Sequence, residues 1–277
     1  MPEGDSLRNI VRALTPLVEN QRMIRLRTAD VEHDALVGET LGAPRARGKH
    51  LLVPIGQHAI LHVHHGLNGA WHAYLPGDRW RRPPAAAAVV LETNGHVLPC
   101  FDPMLVELLA ADQVNQHGMI ARLGPDLLDP APDFDDVMAR VRRSPALSIA
   151  ALLLDQRVAA GIGNIYKNEI LFLTETHPWT RPQDLDDASI RAMYRLASEQ
   201  MKDNVRPGLR TTTPREVQKK SRDRFWVYSR VGRPCIRCGT TIRKRQQGDE
   251  GRDTFWCSSC QPLPARTAPD WRKIHQR

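Results

Sequence analysis

Cys235-Ile236-Arg237-Cys238 and Cys257-Ser258-Ser259-Cys260 stand 18 residues apart near the C-terminal end of the chain, counting Gly239 to Trp256. Two close cysteine pairs at this separation match the spacing of a zinc site. Four thiolates suit one closed, structural Zn2+ ion, because a catalytic site keeps a coordination position open. A redox dithiol is the alternative for either pair alone, and the presence of both favours metal ligation. Between the pairs lie Arg243, Lys244, Arg245 and Arg252, which a two-stranded ribbon would present at its tip. After Gln261 the chain is Pro-rich and basic and reads as a tail over 263–277.

Upstream of the ribbon the apolar spacing is helical: Val137, Val141, Leu147, Ala150, Ala151 and Leu154, then a run from Tyr166 to Leu173 and another from Leu185 to Met201. Gly161-Ile162-Gly163-Asn164-Ile165-Tyr166 interrupts these helices. Two glycines and an Asn at a helix start make a tight turn that aims backbone N–H groups and the Asn164 amide outward. A helix N-terminus carries partial positive charge, so this is a ready phosphate clamp. The same glycines also serve plain helix-turn-helix packing. Residues 124–136, rich in Pro and Asp, read as a linker.

The first half of the chain has a different rhythm. Met23-Ile24-Arg25-Leu26, Leu51-Leu52-Val53-Pro54-Ile55, Ala59-Ile60-Leu61-His62-Val63 and Val89-Val90-Leu91 are short runs with β character, punctuated by Gly, Pro and Asp. Many short strands with turn signals between them predict an antiparallel sandwich or barrel. The basic turn Arg45-Ala46-Arg47-Gly48-Lys49-His50 is either a phosphate contact or a solvated turn. In His62-Val63-His64-His65-Gly66-Leu67-Asn68-Gly69, His62 and His64 share a strand face. A third metal ligand is not evident, so polar contacts or DNA-facing positions are expected. Leu67 and Asn68, between glycines, form an exposed tip that either fills the gap left by an extruded base or is an ordinary hairpin turn.

The chain opens Met1-Pro2-Glu3-Gly4-Asp5. Asp5 can cap a first helix carrying Leu7, Ile10, Val11 and Leu14, which Pro16 ends or bends. Once Met1 is trimmed, Pro2 is a secondary amine beside a carboxyl group. An α-amine titrates near pH 8, so a fair share is unprotonated and able to attack an electrophilic sugar carbon.

Composition bounds the partner. The 277 residues carry 39 Lys and Arg against 31 Asp and Glu, a formal net charge of +8. That balance suits a polyanion. No run approaches the roughly 18–20 apolar residues of a membrane span, and the N-terminus lacks the order of a signal peptide, so a cytoplasmic protein without membrane association is expected.

Four motifs occur in order: Met1-Pro2-Glu3-Gly4-Asp5, Gly48-Lys49-His50-Leu51-Leu52, Gly161-Ile162-Gly163-Asn164-Ile165-Tyr166, and Gly251-Arg252-Asp253-Thr254 leading into Cys257-Ser258-Ser259-Cys260-Gln261. Together they closely resemble the formamidopyrimidine-DNA glycosylase / endonuclease VIII family, from Pro2 to Gln261. The resemblance implies an α+β fold of two domains. An N-terminal antiparallel β-sandwich with flanking helices spans 1–123. After the linker, a helix-two-turn-helix domain spans 137–227 and a β-ribbon zinc finger spans 228–262. It further implies a monomeric bifunctional glycosylase and lyase acting on damaged DNA bound between the domains.

By the same resemblance Pro2 is the nucleophile at C1′, Glu3 the proton donor, Lys49 a phosphate contact serving β-elimination, and Arg252 a phosphate contact serving δ-elimination. Asn164 and the tip residues Leu67 and Asn68 contact DNA. The opening Pro-Glu-Gly resembles the endonuclease VIII branch, which removes oxidised pyrimidines. Ser6 departs from the family's usual Glu, and Asn68 from an aromatic filler. These departures keep open a non-catalytic damaged-DNA-binding homologue or a purine-lesion glycosylase.

Overall fold

A computed structural model describes residues 2–218, 221–248 and 251–263. Met1 and residues 264–277 of the expected basic tail lie outside them. The chain divides into two compact units, at Leu123 and Gly124.

In the first unit, helix α1 (Gly4–Val18) is followed by strands β1 (Met23–Thr28), β2 (Val31–Glu32), β3 (Arg45–Arg47), β4 (His50–Ile55), β5 (Ala59–His64), β6 (Ala70–Trp71), β7 (Ala87–Thr93), β8 (Val97–Phe101) and β9 (Leu105–Ala110), with a short helix α2 (Gly118–Ala121). All pairings are antiparallel, in a five-stranded sheet of order β2-β1-β7-β8-β6 and a four-stranded sheet of order β3-β4-β5-β9. Strand alternation sends Leu51, Val53 and Ile55 of β4 and Leu61 and Val63 of β5 into one core with Met23, Leu26, Val89, Leu91, Leu98 and Cys100. This shared core makes a sandwich, one of the two architectures that the short strands and turn signals predict. Leu7, Leu14 and Val18 bring α1 onto it.

The cap of α1 differs from expectation. The helix starts at Gly4, so Glu3 is its N-cap and Asp5 lies inside the first turn. Pro16 does not end the helix, which runs two residues further to Val18. Pro16 lacks only its own N–H bond to the preceding turn, and Glu19 N–H still donates to Thr15 O at 2.9 Å to close the last turn.

The second unit contains α3 (Phe134–Arg143), α4 (Ile149–Leu154), α5 (Asn164–Leu173), α6 (Asp187–Asp203) and a hairpin of β10 (Arg243–Gln247) and β11 (Arg252–Trp256). Asp133, Ser148 and Asp186 accept backbone N–H bonds at the starts of α3, α4 and α6. Gly161 takes a φ of +117° in the turn before α5, a conformation that glycine enters without strain. The segment read as a linker is packed within this unit. Leu127 and Leu128 are in its core, Leu127 N–H donates to Ala160 O at 3.1 Å, and Ala160 N–H donates to Pro125 O at 2.9 Å.

Helix α5 is buried along almost its whole length, polar residues included. The Glu169 carboxylate accepts from the backbone N–H groups of Trp226 (2.8 Å), Val227 (3.0 Å) and Tyr228 (2.8 Å), and from the Thr212 hydroxyl. Burial pushes its carboxyl up from the ordinary range, and the four donors pull the other way. Glu169→Ala would strand three backbone donors. We expect it to destabilise the second unit by about 3–5 kcal/mol, with Glu169→Gln milder, as read from chemical denaturation. A loss below about 1 kcal/mol for the alanine variant would contradict this role.

Candidate functional site

The N-terminal residues are fixed by the start of α1. Glu3 is fully buried. Its carboxylate accepts from the backbone N–H of Ser6, while Ser6 Oγ accepts from the Glu3 N–H at 3.3 Å. This reciprocal pairing pins both main chain and side chain of Glu3. Ser6 therefore has a structural part that its place in the sequence does not reveal. Pro2, half-buried, precedes this cap. Helix α1 packs against β3 and β4, and the Gly48-Lys49 turn joins those two strands. Leu67 and Asn68 sit in the turn after β5, both exposed, with Gly66 at φ +61°.

In the second unit, Asn164 and Arg252 belong to neighbouring elements, because side chains of α5 hold β11. Asn164 Nδ2 donates to Asp253 O at 2.9 Å, Lys167 Nζ donates to Thr254 Oγ1 at 2.8 Å, and Asn168 Oδ1 accepts from Phe255 N–H at 2.7 Å. Asn164 is only 4% exposed. Its amide thus faces the ribbon rather than pointing outward as the glycine-rich turn predicts. Its Oδ1 is buried with no hydrogen-bond partner among the described residues. The basic run also differs from expectation. Arg243, Lys244 and Arg245 lie along β10, while Arg252 opens β11, opposite Gln247 at the turn.

The four cysteines converge. Cys235 and Cys260 sulfurs are 3.9 Å apart, Cys238 and Cys257 sulfurs 3.4 Å, and all four lie within 4.8 Å of one another. Four sulfurs at about 2.3 Å from a tetrahedral Zn2+ stand about 3.8 Å apart. The donor set and spacing therefore fit a zinc finger. Gln261 secures the second pair, accepting from Cys257 N–H at 3.0 Å and donating to Thr176 O at 2.9 Å.

The histidine-rich stretch also assembles. His50 Nδ1 is 2.8 Å from His62 Nε2, and His62 Nδ1 is 3.0 Å from Glu107 Oε2, which His117 also approaches. Glu107 and His117 lie far along the chain, and no local spacing signals their part. Lys167, Asn168 and Glu169 are likewise illegible locally. They follow Asn164 on α5, and only burial reveals what they hold.

His65 is 1% exposed, with neither ring nitrogen partnered among the described residues. Burial pushes its imidazole down to about 4, aided by His64. The unfolded chain takes up this proton near pH 6.5 and the folded chain near pH 4. Stability from neutral His65 is therefore complete above pH 6.5 and is lost as pH falls through 4. We expect this group to remove about 2 kcal/mol of unfolding free energy between pH 7 and pH 5. His65→Leu should flatten that acid limb in urea titrations, and an unchanged limb would reject the assignment.

Among known families, the formamidopyrimidine-DNA glycosylase N-terminal domain matches residues 1–104, and the formamidopyrimidine-DNA glycosylase H2TH domain matches residues 123–215. A Streptomyces coelicolor protein named probable endonuclease 8 2 is 35% identical over 274 residues, covering 96% of this chain and 95% of the relative. The Mycolicibacterium smegmatis DNA-(apurinic or apyrimidinic site) lyase Nei2 is 34% identical, covering 94% of this chain and 99% of the relative. The Lactococcus lactis Fpg complex with N7-benzyl-Fapy-dG-containing DNA shares the fold. It has a TM-score of 0.78 at 24% identity, covering 95% of this chain and 100% of that one.

Proposed function

This chain belongs to the formamidopyrimidine-DNA glycosylase family, and from that membership we propose that it is a bifunctional DNA glycosylase and abasic-site lyase of base excision repair, acting as a monomer on damaged DNA. The observation that carries the reading is the N-terminus: Pro2 directly precedes a buried Glu3 whose main chain and side chain are both pinned at the cap of α1.

With Met1 removed, the Pro2 nitrogen attacks C1′ of the damaged nucleoside. The base departs, and the new C–N bond becomes a Schiff base as the sugar ring opens. Glu3 donates a proton to the ring oxygen, a general-acid step worth roughly 10²–10⁴ in rate. Loss of a proton from C2′ then expels the 3′ phosphate, and a second elimination expels the 5′ phosphate. Lys49 serves the first elimination and Arg252 the second, each next to a phosphate it binds. Asn164 supports the phosphate grip from the N-terminus of α5, where it already holds the carbonyl following Arg252. Leu67 and Asn68 fill the space of the extruded base, whose unstacking costs a few kcal/mol and least for a damaged base. The Pro-Glu-Gly opening, which resembles the endonuclease VIII branch, supports oxidised pyrimidines over purine lesions, and relatives carry the name endonuclease 8.

A single structural Zn2+ on Cys235, Cys238, Cys257 and Cys260 would hold the ribbon that carries Arg252. The ion contributes folding energy and no step of the reaction.

Borohydride should trap a covalent complex between the enzyme and abasic-site DNA. Retention of Met1 blocks the Pro2 nitrogen as an amide and should abolish trapping, whereas Pro2→Gly keeps an α-amine in place and should weaken it; full trapping with Met1 retained would sink the assignment of Pro2. Glu3→Gln should lower base excision by at least about 100-fold while sparing more of the nicking at preformed abasic sites, whose sugar already opens. A panel of thymine glycol, dihydrouracil, 5-hydroxyuracil and 8-oxoguanine duplexes tests the pyrimidine preference. Independently, metal analysis after exhaustive dialysis should find about one zinc per chain. Cys238→Ser should lose it and weaken DNA binding. Full zinc content in that variant would refute the ligand set.

A further inference from the structure

The outer face of the β3-β4-β5-β9 sheet carries a polar cluster that the proposed DNA chemistry leaves unused. Leu61 and Val63 of β5 face the core, so His62 between them faces the other way. The β5–β9 register sets His62 directly opposite Glu107. His117, just before α2, reaches the same point. His62 Nδ1 and His117 Nε2 approach the same oxygen, Glu107 Oε2, at 3.0 and 3.1 Å, and the three donor atoms lie within 4.8 Å of one another. Three separate elements thus aim three donors at one spot. Two imidazoles and a carboxylate form the donor set of borderline divalent transition metals.

We propose that His62, Glu107 and His117 form a binding site for a divalent transition-metal ion of the Zn2+ class, separate from the four cysteines. Nitrogen and oxygen donors at about 2.0–2.2 Å from a tetrahedral ion stand about 3.4 Å apart. The two observed contacts need to open by only a few tenths of an ångström. The His62 side chain is fully buried, whereas Glu107 and His117 are 33% and 20% exposed, so the ion enters from their side and water completes its shell. His50 supplies the outer layer. Its Nδ1 lies 2.8 Å from His62 Nε2. With His62 Nδ1 on the metal, the Nε2–H donates to His50 and fixes the ring, as such bonds do for metal-bound imidazoles. The ion is thereby tied to the residue after Lys49. The site stands apart from the glycosylase reading, since a chain without lyase activity would still bind the ion.

Calorimetric titration of Zn2+ into the full-length chain, already carrying zinc on its cysteines, tests this. Wild type should bind one further equivalent. Glu107→Gln and His117→Gln should weaken that binding by more than about 100-fold, and His50→Gln by about 10–100-fold. Thermal melts of the same samples verify that the variants fold, and added Zn2+ should raise the Tm of wild type but not of the two ligand variants. Absence of a further equivalent in wild type, or wild-type affinity in both Glu107→Gln and His117→Gln, overturns the site.

Discussion

A single buried carboxylate organises the second unit. Glu169 is fully enclosed, and three consecutive backbone N–H groups from residues 226 to 228 point at it. Without it, the segment leading into the cysteine ribbon would have to leave those donors unpaired in a dry interior, which costs far more than one ordinary hydrogen bond yields. The same helix holds the ribbon through Asn164, Lys167 and Asn168. Helix α5 therefore works as an internal polar post. Tyr166, Ile170 and Leu171 join the apolar core of the unit, Phe172 packs under the ribbon, and Asn164, Asn168 and Glu169 bond main-chain groups. The placement of Arg252 depends on this post as much as on the cysteines.

Much of this architecture is legible in the sequence, for identifiable reasons. The short, mostly apolar runs from Leu51 to Ile55 and from Ala59 to Val63 give away β4 and β5, because residues of β character are bounded there by Gly48, Gly56 and Gly66. The cysteine pairs give away their own convergence, because metal ligation tolerates few spacings. The illegible parts depend on distance along the chain. His62 meets a carboxylate 45 residues later, and nothing near His62 announces Glu107. The pattern that suggests a phosphate clamp at Gly161 to Asn164 is real as a turn. Yet the Asn164 amide is drawn inward by a carbonyl 89 residues away. Local rules assign a helix start correctly and cannot say which neighbour will claim its side chain.

The first helix shows the same division at closer range. A cap residue is expected from the sequence, and Asp5 is the obvious candidate by type. The structure uses Glu3, because starting at Gly4 lets Ser6 return a hydrogen bond to the Glu3 N–H. The Ser6 hydroxyl, accepting from the Glu3 N–H, rigidifies the residue ahead of the helix. Ser6 thus holds the position of Glu3 rather than releasing it, which favours an active enzyme over a binding-only homologue.

The bonds between α5 and the ribbon run mainly to main-chain atoms of β11: the carbonyl of Asp253 and the N–H of Phe255. Docking of this kind is blind to the side chains it holds, apart from Thr254, whose hydroxyl meets Lys167. Most side chains along the ribbon are thereby released from the duty of keeping it in place. Positions 243–246 and 253 can exchange charge or shape between related chains while the strand stays in register. The helix, which supplies all of that grip's side chains except Thr254, has no such latitude. Variation that retunes how the ribbon meets a polyanion should therefore accumulate on the hairpin, with Asn164, Lys167, Asn168 and Glu169 held constant beneath it.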